Sequence, residues 1–248
     1  MEIIACEDTR TTRQLFTLLN LTPPLLIACH EHNEEEQIQK VIRSLQEGKN
    51  VGLVSDAGTP NISDPGYRLI SAIHKAGFAI SPLPGPCAAI TALSVSGLPT
   101  HRFRFVGFLP SKGSGRRKAL EALKGDPDTL IFYESPYRLN DFLNDAFQIL
   151  GGHRQGVVAR EITKRFEEFR RGTLDQLAHS PGINRGEVVI LIEGQSAQEQ
   201  AELLDLDALI QDVLSLELPP SKAAKILSKR SHLTRQEAYE TLQNLKLK

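Results

Sequence analysis

The sequence has no tryptophan, a single methionine and only three cysteines among its 248 residues. Cys6, Cys29 and Cys87 form no C-x-x-C pair and have no histidine at metal-ligand spacing, which argues against a zinc site and a disulfide framework. Such cysteine usage is typical of a reducing compartment. No apolar run reaches the roughly 18 residues of a membrane span, and no basic-then-apolar signal pattern is present. We therefore expect a soluble, cytoplasmic protein that binds no metal.

The charge is nearly balanced, with a formal net charge of −1, so global basicity gives no argument for nucleic-acid binding. The distribution of charge is uneven, however. Residues 195–221 carry acids and no Lys or Arg, residues 222–248 are mainly basic, and residues 101–118 carry Lys and Arg but no acid. Such basic clusters can be nucleic-acid contacts, although a solvated surface is the more common explanation for any single one.

Familiar nucleotide and hydrolase motifs are also missing. The chain has no G-x-G-x-x-G fingerprint, no G-x-x-x-x-G-K-[ST] loop and no G-x-S-x-G elbow. Residues 113–118 (Gly-Ser-Gly-Arg-Arg-Lys) resemble a phosphate loop only superficially, because no clear nucleotide-binding strand precedes them. We interpret them as a mobile basic segment, which is either an RNA contact or a solvated loop.

The most informative segment is a long polar loop after an apolar run. Residues 51–54 predict a strand, and the next residues include Gly58, Pro60, Asp64 and Gly66. This connection is longer than the about 2–6 residues of an ordinary strand-to-helix loop. Open α/β sheets bind ligands at the carboxyl ends of their strands, so the loop predicts a ligand site. We expect a helix to begin near Asp64, a residue type that caps helix N-termini.

The first hundred residues alternate strand and helix patterns. Strict alternation predicts right-handed βαβ units and a parallel sheet. A second rigid loop at residues 82–86 contains three prolines and leads into a helix. The predicted strands are residues 2–6, 25–29, 51–54 and 79–83, and the predicted helices are residues 9–19, 34–47, 67–76 and 87–96.

A second unit begins near Phe103, and a hairpin pattern around residues 162–174 indicates that its sheet is mixed. Its predicted strands are residues 103–109, 129–133, 157–162, 166–171 and 188–193, and its helices are residues 116–124, 137–150 and 174–179. Residues 195–202 are interpreted as a linker. Short helices follow at residues 203–216, 221–231 and 234–245, with a capping-box pattern at Thr234 and Glu237. They form either a helix-turn-helix-like module or a packing appendage.

Several long motifs, in order over essentially residues 1–194, resemble the RsmI family of the tetrapyrrole-methylase superfamily. The C-terminal helices also resemble that family's helix-turn-helix extension. The motifs that carry the resemblance are V-S-D-A-G-T-P at 54–60 and S-D-P-G at 63–66, L-P-G-P-C-A-A-I-T-A-L at 83–93, E-D-T-R at 7–10, H-E-H-N-E at 30–34, G-F-L-P at 107–110, I-F-Y-E-S at 131–135, A-R-E-I-T-K at 159–164 and G-E-V at 186–188.

The resemblance implies a two-domain α/β fold, a parallel-sheet domain plus a mixed-sheet domain, with a small C-terminal helical module. It implies a homodimer that uses S-adenosyl-L-methionine to methylate the 2′-hydroxyl of a cytidine in the decoding region of 16S ribosomal RNA, either as naked RNA or in the assembled 30S subunit. The expected units are residues 1–100 (substrate side), 101–194 (cofactor side) and 203–248 (helical module).

Carried over by motif, the cofactor is expected to lie in the cleft between the two domains. Its methionyl end would meet the loop after residues 51–54, the loop at residues 84–89 would close over it, and its adenosine would meet the second unit. For Phe132 and Tyr133, ordinary packing in the core of the second sheet is the alternative to cofactor binding. The expected cofactor residues are Asp56, Ala57, Gly58, Thr59, Pro60, Pro84, Ala88, Ala89, Phe132, Tyr133, Ala159, Arg160, Gly186 and Glu187.

Methyl transfer to a hydroxyl is an in-line displacement, so positioning supplies much of the rate. A ribose hydroxyl is a weak nucleophile, and an acceptor for its proton is expected to help. We hypothesise that Glu7, Asp8 and Arg10 face the substrate, with Arg10 on a phosphate and an acid near the hydroxyl. The alternative is a helix N-terminus whose acids favour the dipole. Further candidate acceptors are His30, His32, Asp64 and Glu134, and the expected RNA contacts are Arg102, Arg104, Arg116, Arg117, Lys118, Lys222, Lys225, Lys229 and Arg235.

The chain departs from the family pattern at its start. Family members usually begin with another strand and a Thr-Pro-Ile-Gly-Asn-type loop, whereas Met1 to Cys6 corresponds to their second strand. We expect either a start downstream of the true one or a truncated paralogue. Two other functions stay open on the sequence: a precorrin-type small-molecule methylase, and a non-catalytic RNA-binding paralogue that keeps the cofactor fold.

Overall fold

The first sheet of the computed structural model is three-stranded, parallel and ordered β2-β1-β3. The structure describes residues 1–30, 33–180, 185–216, 218–231 and 233–246. The parallel sheet predicted from the alternating pattern is therefore confirmed. Its elements are β1 (Ile3–Cys6), α1 (Thr9–Leu18), β2 (Leu25–Ala28), α2 (Glu34–Gln46), β3 (Val51–Val54) and α3 (Tyr67–Lys75).

All three strands of this sheet end at the same edge. Cys6 of β1 pairs with Ala28 on one side and with Val54 on the other. Helices α2 and α3 cover one face, where Val41 and Leu69 are buried against Ala5. This register places the segments that follow β1 and β3 side by side, which is where the first sheet contributes to the site described below.

The strand predicted at residues 79–83 is wrong. These residues are exposed and have no regular secondary structure, and β3 pairs only with β1 among the described residues. An apolar run becomes a strand only where a neighbour supplies hydrogen bonds. Pro82 additionally lacks an N–H donor, so the local sequence favours an extended loop over a paired strand.

The second sheet is five-stranded and mixed, as predicted, with the order β4-β5-β8-β6-β7. Strands β4 and β5 are parallel, and every other neighbouring pair is antiparallel. Its elements are α4 (Ala88–Ser94), β4 (Phe103–Phe108), α5 (Gly113–Leu123), β5 (Thr129–Glu134), a 3₁₀ turn (Pro136–Arg138), α6 (Leu139–Leu150), β6 (Gln155–Arg160), β7 (Glu168–Thr173), α7 (Leu174–Ala178) and β8 (Val188–Ile192).

Helices cover both faces of this sheet. On one face Leu120 of α5 and Phe142 of α6 pack around Phe132. On the other face α4 packs Ala89, Ala92 and Leu93 against strands β5, β6 and β8. Helix α4 belongs to the first hundred residues, so its packing on the second sheet joins the two halves of the chain.

Three C-terminal helices form a separate small core around Val213, Leu227 and Leu242. They are α8 (Ala197–Ser215), α9 (Pro220–Arg230) and α10 (Arg235–Lys246). The linker predicted at residues 195–202 is wrong from residue 197 onward, because its Ala, Glu and Gln residues are good helix formers and extend α8. The capping box is confirmed, since the Thr234 N–H donates to Glu237 Oε2 at 2.8 Å and the Glu237 N–H to Thr234 Oγ1 at 3.3 Å.

The basic residues 113–118 belong to helix α5 and not to a mobile loop. Arg116 faces α6 with only 6% of its side chain exposed, and its Nε donates to Asp145 Oδ2 at 2.7 Å. A buried, paired guanidinium cannot reach a phosphate, so the assignment of Arg116 as an RNA contact is corrected to a structural role. Arg117 contacts the same carboxylate at 3.4 Å and is half exposed.

In the part of the chain that the structure describes, no helix combines the length and the apolar character needed to cross a membrane.

We expect Asp145→Ala to lower the free energy of unfolding by about 3–5 kcal/mol, because it leaves the buried Arg116 guanidinium without its carboxylate. Urea unfolding followed by circular dichroism measures this. Asp141→Ala, at an exposed position in the first turn of the same helix, is the control and should cost no more than about 1 kcal/mol. Equal losses in both variants would contradict the structural role of the Arg116–Asp145 pair.

Candidate functional site

The segments that follow β1 and β3 meet through their acidic residues. The Asp8 N–H donates to Asp56 Oδ1 at 3.3 Å, and the Asp56 N–H donates to Glu7 Oε2 at 3.4 Å. The parallel register places these residues together although about fifty positions separate them in the sequence. The edge of the first sheet therefore carries a set of carboxylates that accept backbone N–H groups.

Asp8 is occupied by local interactions. Its carboxylate caps α1 by accepting the Arg10 N–H at 2.7 Å, and both of its oxygens accept hydrogen bonds from the Arg10 guanidinium. These hydrogen bonds from Arg10 lower the pKa of Asp8 to about 2. The helix-terminus interpretation of residues 7–10 therefore describes Asp8 well, while Arg10 stays 87% exposed at its side chain.

The polar loop after β3 is tightly folded. Thr59 Oγ1 donates to the Pro86 carbonyl at 2.8 Å, which ties this loop to the second proline-rich loop. Asn61 and Ser63 adopt positive φ angles of 72° and 65°, which non-glycine residues rarely do. Gly66, not Asp64, precedes the first turn of α3, with φ 127° and no room for a Cβ beside Asn61. The predicted cap at Asp64 is therefore wrong, and that carboxylate is available for another role.

A cavity of about 420 Å³ lies between this loop and the second sheet. Its size falls within the range of small-molecule sites, and its lining is mostly apolar with a few polar groups. It is lined by Ala57, Gly58, Thr59, Ile62, Ser63, Asp64, Cys87, Ala88, Phe108, Tyr133, Glu134, Ser135, Pro136, Gly186, Glu187, Val188 and Val189.

Tyr133 forms part of the apolar wall and connects the two halves of the site. Its ring contacts Phe105 and Phe108 edge-to-face, with centroids 5.0 and 5.8 Å away. Its hydroxyl accepts the Ala89 N–H at the first turn of α4, at 3.3 Å. Burial raises the pKa of this phenol, so it stays protonated over the physiological range. The wall suits a flat, partly apolar group such as a purine.

The Gly186–Glu187 segment before β8 is another part of the cavity lining, and the carboxylate of Glu161 holds its backbone. Glu161 Oε1 accepts the Glu187 N–H at 2.9 Å and the Lys164 ammonium at 3.1 Å, and the Glu161 N–H donates to the Glu187 carbonyl. These interactions, led by the Glu187 N–H, lower the pKa of Glu161. Gly186 has φ 88°, and a Cβ there would lie 2.5 Å from Glu161 Cγ. Glycine is therefore required at the start of β8.

Asp64 is an acid in the cavity wall, and its pKa is raised above the ordinary aspartate value. Partial burial raises its pKa, a hydrogen bond with Ser55 opposes the shift, and the negative charges of Glu7 and Asp56 add to it. A carboxylate with a raised pKa is a better proton acceptor than one bound to a guanidinium.

The structure brings half of the predicted cofactor residues to the cavity. Phe132 is the clearest exception, because it points to the opposite face of β5 and packs on Phe142 at 5.1 Å, which is the core alternative. Ala159 is fully buried beneath α4, and Arg160 pairs with Glu168 at 3.0 Å. In the lining are Ala57, Gly58, Thr59, Ala88, Tyr133, Gly186 and Glu187; outside it are Asp56, Pro60, Pro84, Ala89, Phe132, Ala159 and Arg160.

Some lining residues escaped the sequence reasoning. Five of them lie inside the motifs quoted above and the other three directly follow or precede a motif residue, so the motifs themselves were the available signal. They are Ile62, Ser63, Cys87, Phe108, Ser135, Pro136, Val188 and Val189. Of the two histidine candidates, His30 does not line the cavity, and His32 lies outside the described residues. Within the ranges that the structure describes, no cluster of His, Cys, Asp and Glu could hold a metal ion.

The predicted RNA contacts divide into paired and exposed groups. Arg102 pairs with Asp128 at 2.8 Å, and Arg104 pairs with Asp126 at 2.9 Å. Lys118 is exposed on α5, and Arg235 is exposed on α10. Lys222, Lys225 and Lys229 are all exposed on α9, at a spacing that places them on one helix face. We call these three residues the α9 lysine stripe.

Comparison with known proteins gives close relatives. Residues 1–178 match the family model described as Tetrapyrrole (Corrin/Porphyrin) Methylases. The chain is 47% identical over 231 residues to "Ribosomal RNA small subunit methyltransferase I" of Escherichia coli O157:H7, covering 91% of this chain and 80% of that protein. Its counterpart of the same name in Pseudomonas aeruginosa is 44% identical over 247 residues, covering 96% and 87%.

Solved structures of more distant proteins share the fold. The methyltransferase CobJ superposes with a TM-score of 0.55 at 18% identity, covering 78% of this chain and 83% of its own. Uroporphyrin-III C-methyltransferase of Thermus thermophilus, complexed with S-adenosylhomocysteine, gives a TM-score of 0.50 at 16% identity, covering 77% and 84%. The expected α/β class is thereby confirmed.

We expect Gly186→Ala to destabilise the fold more than Gly77→Ala. Both glycines have φ near 80–90°, so each alanine incurs a left-handed penalty of about 1–2 kcal/mol. Only the Gly186 Cβ would collide, with Glu161, whereas nothing lies within 4 Å of a Cβ at Gly77. The clash should add about 1–3 kcal/mol in urea unfolding. Equal losses of unfolding free energy in the two variants would contradict this expectation and show that the Glu161 side chain moves aside at no measurable cost.

Proposed function

Because the chain belongs to the tetrapyrrole methylase family, and within it to the ribosomal RNA small subunit methyltransferase I family of S-adenosylmethionine-dependent enzymes, we propose that it methylates the 2′-hydroxyl of a cytidine in the decoding region of 16S ribosomal RNA. The observation that carries the proposal is the cavity between the loop after β3 and the second sheet. It combines an apolar aromatic wall with a half-buried acid of raised pKa, and it is built from the motifs shared with that family.

The residues of the cavity fit this cofactor. A purine would find the apolar faces of Tyr133 and Val189, and the lining also has a polar end at Glu134, where a buried carboxylate oxygen has no partner among the described residues. The methionyl part would lie along the backbone of Ala57, Gly58 and Thr59. When bound, S-adenosylmethionine supplies an electrophilic methyl group on a sulfonium sulfur.

We assign the role of proton acceptor to Asp64. Its carboxylate lines the cavity on the side of the first sheet, and its raised pKa favours uptake of the proton that the ribose hydroxyl loses. Asp8, held near pKa 2 by Arg10, is a weaker acceptor and orients α1 and Asp56. Glu7 contributes negative charge beside Asp64. Arg10, exposed beyond Asp8, is retained as a candidate phosphate contact.

The rigid loops position these groups. The Thr59 bond to the Pro86 carbonyl holds two loops together, and the Tyr133 bond to Ala89 fixes α4 against the second sheet. Holding a nucleophile and an acceptor in a near-attack arrangement supplies a large part of the rate in such transfers.

The proposed RNA surface comprises the α9 lysine stripe, Arg235 and Lys118, together with the partly neutralised Arg102, Arg104 and Arg117. The stripe is the strongest member, because no ion pair engages its lysines within the described residues. We propose a cytoplasmic enzyme that acts on small-subunit ribosomal RNA or on the assembled 30S subunit.

We also propose a homodimer. The exposed Leu15, Leu18 and Leu19 of α1 and its following turn form an apolar patch that supports a contact with a second copy. Sedimentation velocity at micromolar concentration tests it, and a monomer there would contradict it.

We expect Asp64→Asn to lower the single-turnover rate of methyl transfer about 10²–10⁴-fold, because the acceptor of the hydroxyl proton is removed. The affinity for S-adenosylhomocysteine, measured by titration calorimetry, should stay within a few-fold of the unmodified chain. The rate of the unmodified chain should rise with pH through a midpoint above the ordinary pKa of an aspartate, because deprotonated Asp64 is the active form.

Glu7→Gln and Asp8→Asn are the matched controls for this test, since each removes one carboxylate charge from the same edge of the sheet. A larger rate loss in either control than in Asp64→Asn would overturn the assignment and return the role to residues 7–8. Cofactor binding without any turnover on small ribosomal subunits would instead favour the non-catalytic RNA-binding paralogue.

We expect the triple variant Lys222→Gln/Lys225→Gln/Lys229→Gln to weaken binding to small ribosomal subunits. The slope of log affinity against log salt should fall by about 0.7–0.9 for each phosphate contact removed. Binding is measured by filter retention over a salt series. Lys40→Gln, a lysine of α2 paired with Glu36, is the control and should leave the slope unchanged. An unchanged slope in the triple variant would remove the stripe from the RNA surface.

A further inference from the structure

Two buried polar atoms at and just after the carboxyl end of β5 lack partners among the described residues. They are Oε2 of Glu134, at the carboxyl end of β5, and Nε of Arg138, in the 3₁₀ turn that follows. The other oxygen of Glu134 is well satisfied, since Oε1 accepts the Ser135 N–H at 2.7 Å and Arg138 Nη2 at 2.5 Å. The ion pair therefore leaves one acceptor and one donor unused.

This arrangement is costly unless something completes it. The Glu134 side chain is 1% exposed, and an unsatisfied buried polar group costs about 1–3 kcal/mol, more when it is charged. Glu134, Ser135 and Pro136 line the cavity and Arg138 does not, so a molecule bound there lies next to the glutamate of the pair. A buried water is the other way to complete such a pair.

The chemistry of the two atoms selects the ligand group. A carboxylate oxygen only accepts hydrogen bonds and the Arg138 Nε only donates, so hydroxyl groups, which both donate and accept, are the ligand groups that suit the two atoms. An ammonium group can only donate and would leave Arg138 unsatisfied. An acid at the end of a sheet strand is also a general solution for holding ribose hydroxyls in nucleotide sites.

We propose that Glu134, oriented by Arg138, is the ribose-recognising residue of the cavity and accepts hydrogen bonds from the nucleoside hydroxyls of the bound cofactor. The proposal rests on the proposed function for the presence of S-adenosylmethionine and adds which residue selects its ribose. The adenine ring then extends along Tyr133 and Val189, and the methionyl part points towards Asp64. Arg138 is a positioning residue, because it acts through Glu134.

Titration calorimetry with three probes tests this inference on the full chain. The probes are S-adenosylhomocysteine, 5′-methylthioadenosine, which lacks the amino-acid part, and 2′,3′-dideoxy-5′-methylthioadenosine, which lacks both ribose hydroxyls. Glu134→Gln should weaken the first two by the same factor, about tenfold, since hydrogen bonds to a charged group are the stronger ones. It should leave binding of the dideoxy probe unchanged, and the unmodified chain should bind that probe more weakly than 5′-methylthioadenosine.

Glu193→Gln is the matched control, because it makes the same substitution at the opposite end of the same sheet, directly after β8. The Glu193 carboxylate accepts a long hydrogen bond from the Gln155 N–H, at 3.5 Å. It should leave all three affinities unchanged. Thermal unfolding of the ligand-free variants reports any loss of fold, and Arg138→Lys, which keeps the charge but loses the paired geometry, provides a second variant. It should weaken the two hydroxyl-bearing probes and spare the dideoxy probe.

Each other outcome overturns the inference in a distinct way. A loss confined to S-adenosylhomocysteine would place Glu134 on the ammonium group, and an equal loss for all three probes would place it on the base or in the fold. No loss for any probe would mean that water completes the pair. If the unmodified chain is folded and binds none of the probes, the proposed function fails as well, which none of the previous outcomes implies.

Discussion

The packing of α4 on the second sheet is the interaction on which the rest of the structure depends. Ala89 and Ala92 are small enough for the helix to lie close to the strands, where they contact Ile131 and Val189. The Ala89 N–H donates a hydrogen bond to the Tyr133 hydroxyl, so the first turn of the helix is fixed to the wall of the cavity. Because α4 follows directly from the second proline-rich loop, this packing carries the loops of the first sheet to the carboxyl end of β5.

The chemistry of the site follows from that juxtaposition. The first sheet supplies carboxylates whose proton affinities differ, since Asp8 is held low by Arg10 while burial and neighbouring charges raise Asp64. The second sheet supplies the apolar wall and the incomplete Glu134–Arg138 pair. In the proposed reaction the first side would accept the proton of the hydroxyl and the second would bind the nucleoside of the cofactor. The α9 lysine stripe lies on a helical module with a core of its own.

Much of the fold could be predicted from the sequence, and the failures have physical causes. Local patterns set most helices and strands within a few residues, and the alternation and the hairpin indicated one parallel and one mixed sheet. The prediction of a strand at residues 79–83 failed because a strand needs a hydrogen-bonded neighbour, which the local sequence does not specify. The linker at 195–202 failed because polar composition was weighed above the helix propensity of Ala, Glu and Gln. The prediction that Arg116 contacts RNA failed because a basic residue is expected at the surface. Only the structure shows that the Asp145 carboxylate faces it in the interior.

The sequence by itself determined the family, the order of the elements and the loops that carry the site, because these depend on contiguous motifs and on local backbone preference. Only the tertiary structure decided which motif residues meet. It separated Phe132 from Tyr133 because neighbours on a strand point to opposite faces. It also distinguished Asp64 from Asp8, since a pKa depends on burial and on the charges nearby in space. Glu134, which the sequence offered only as a candidate proton acceptor, and Arg138 received their proposed role in ribose binding only from a buried ion pair with two unused atoms.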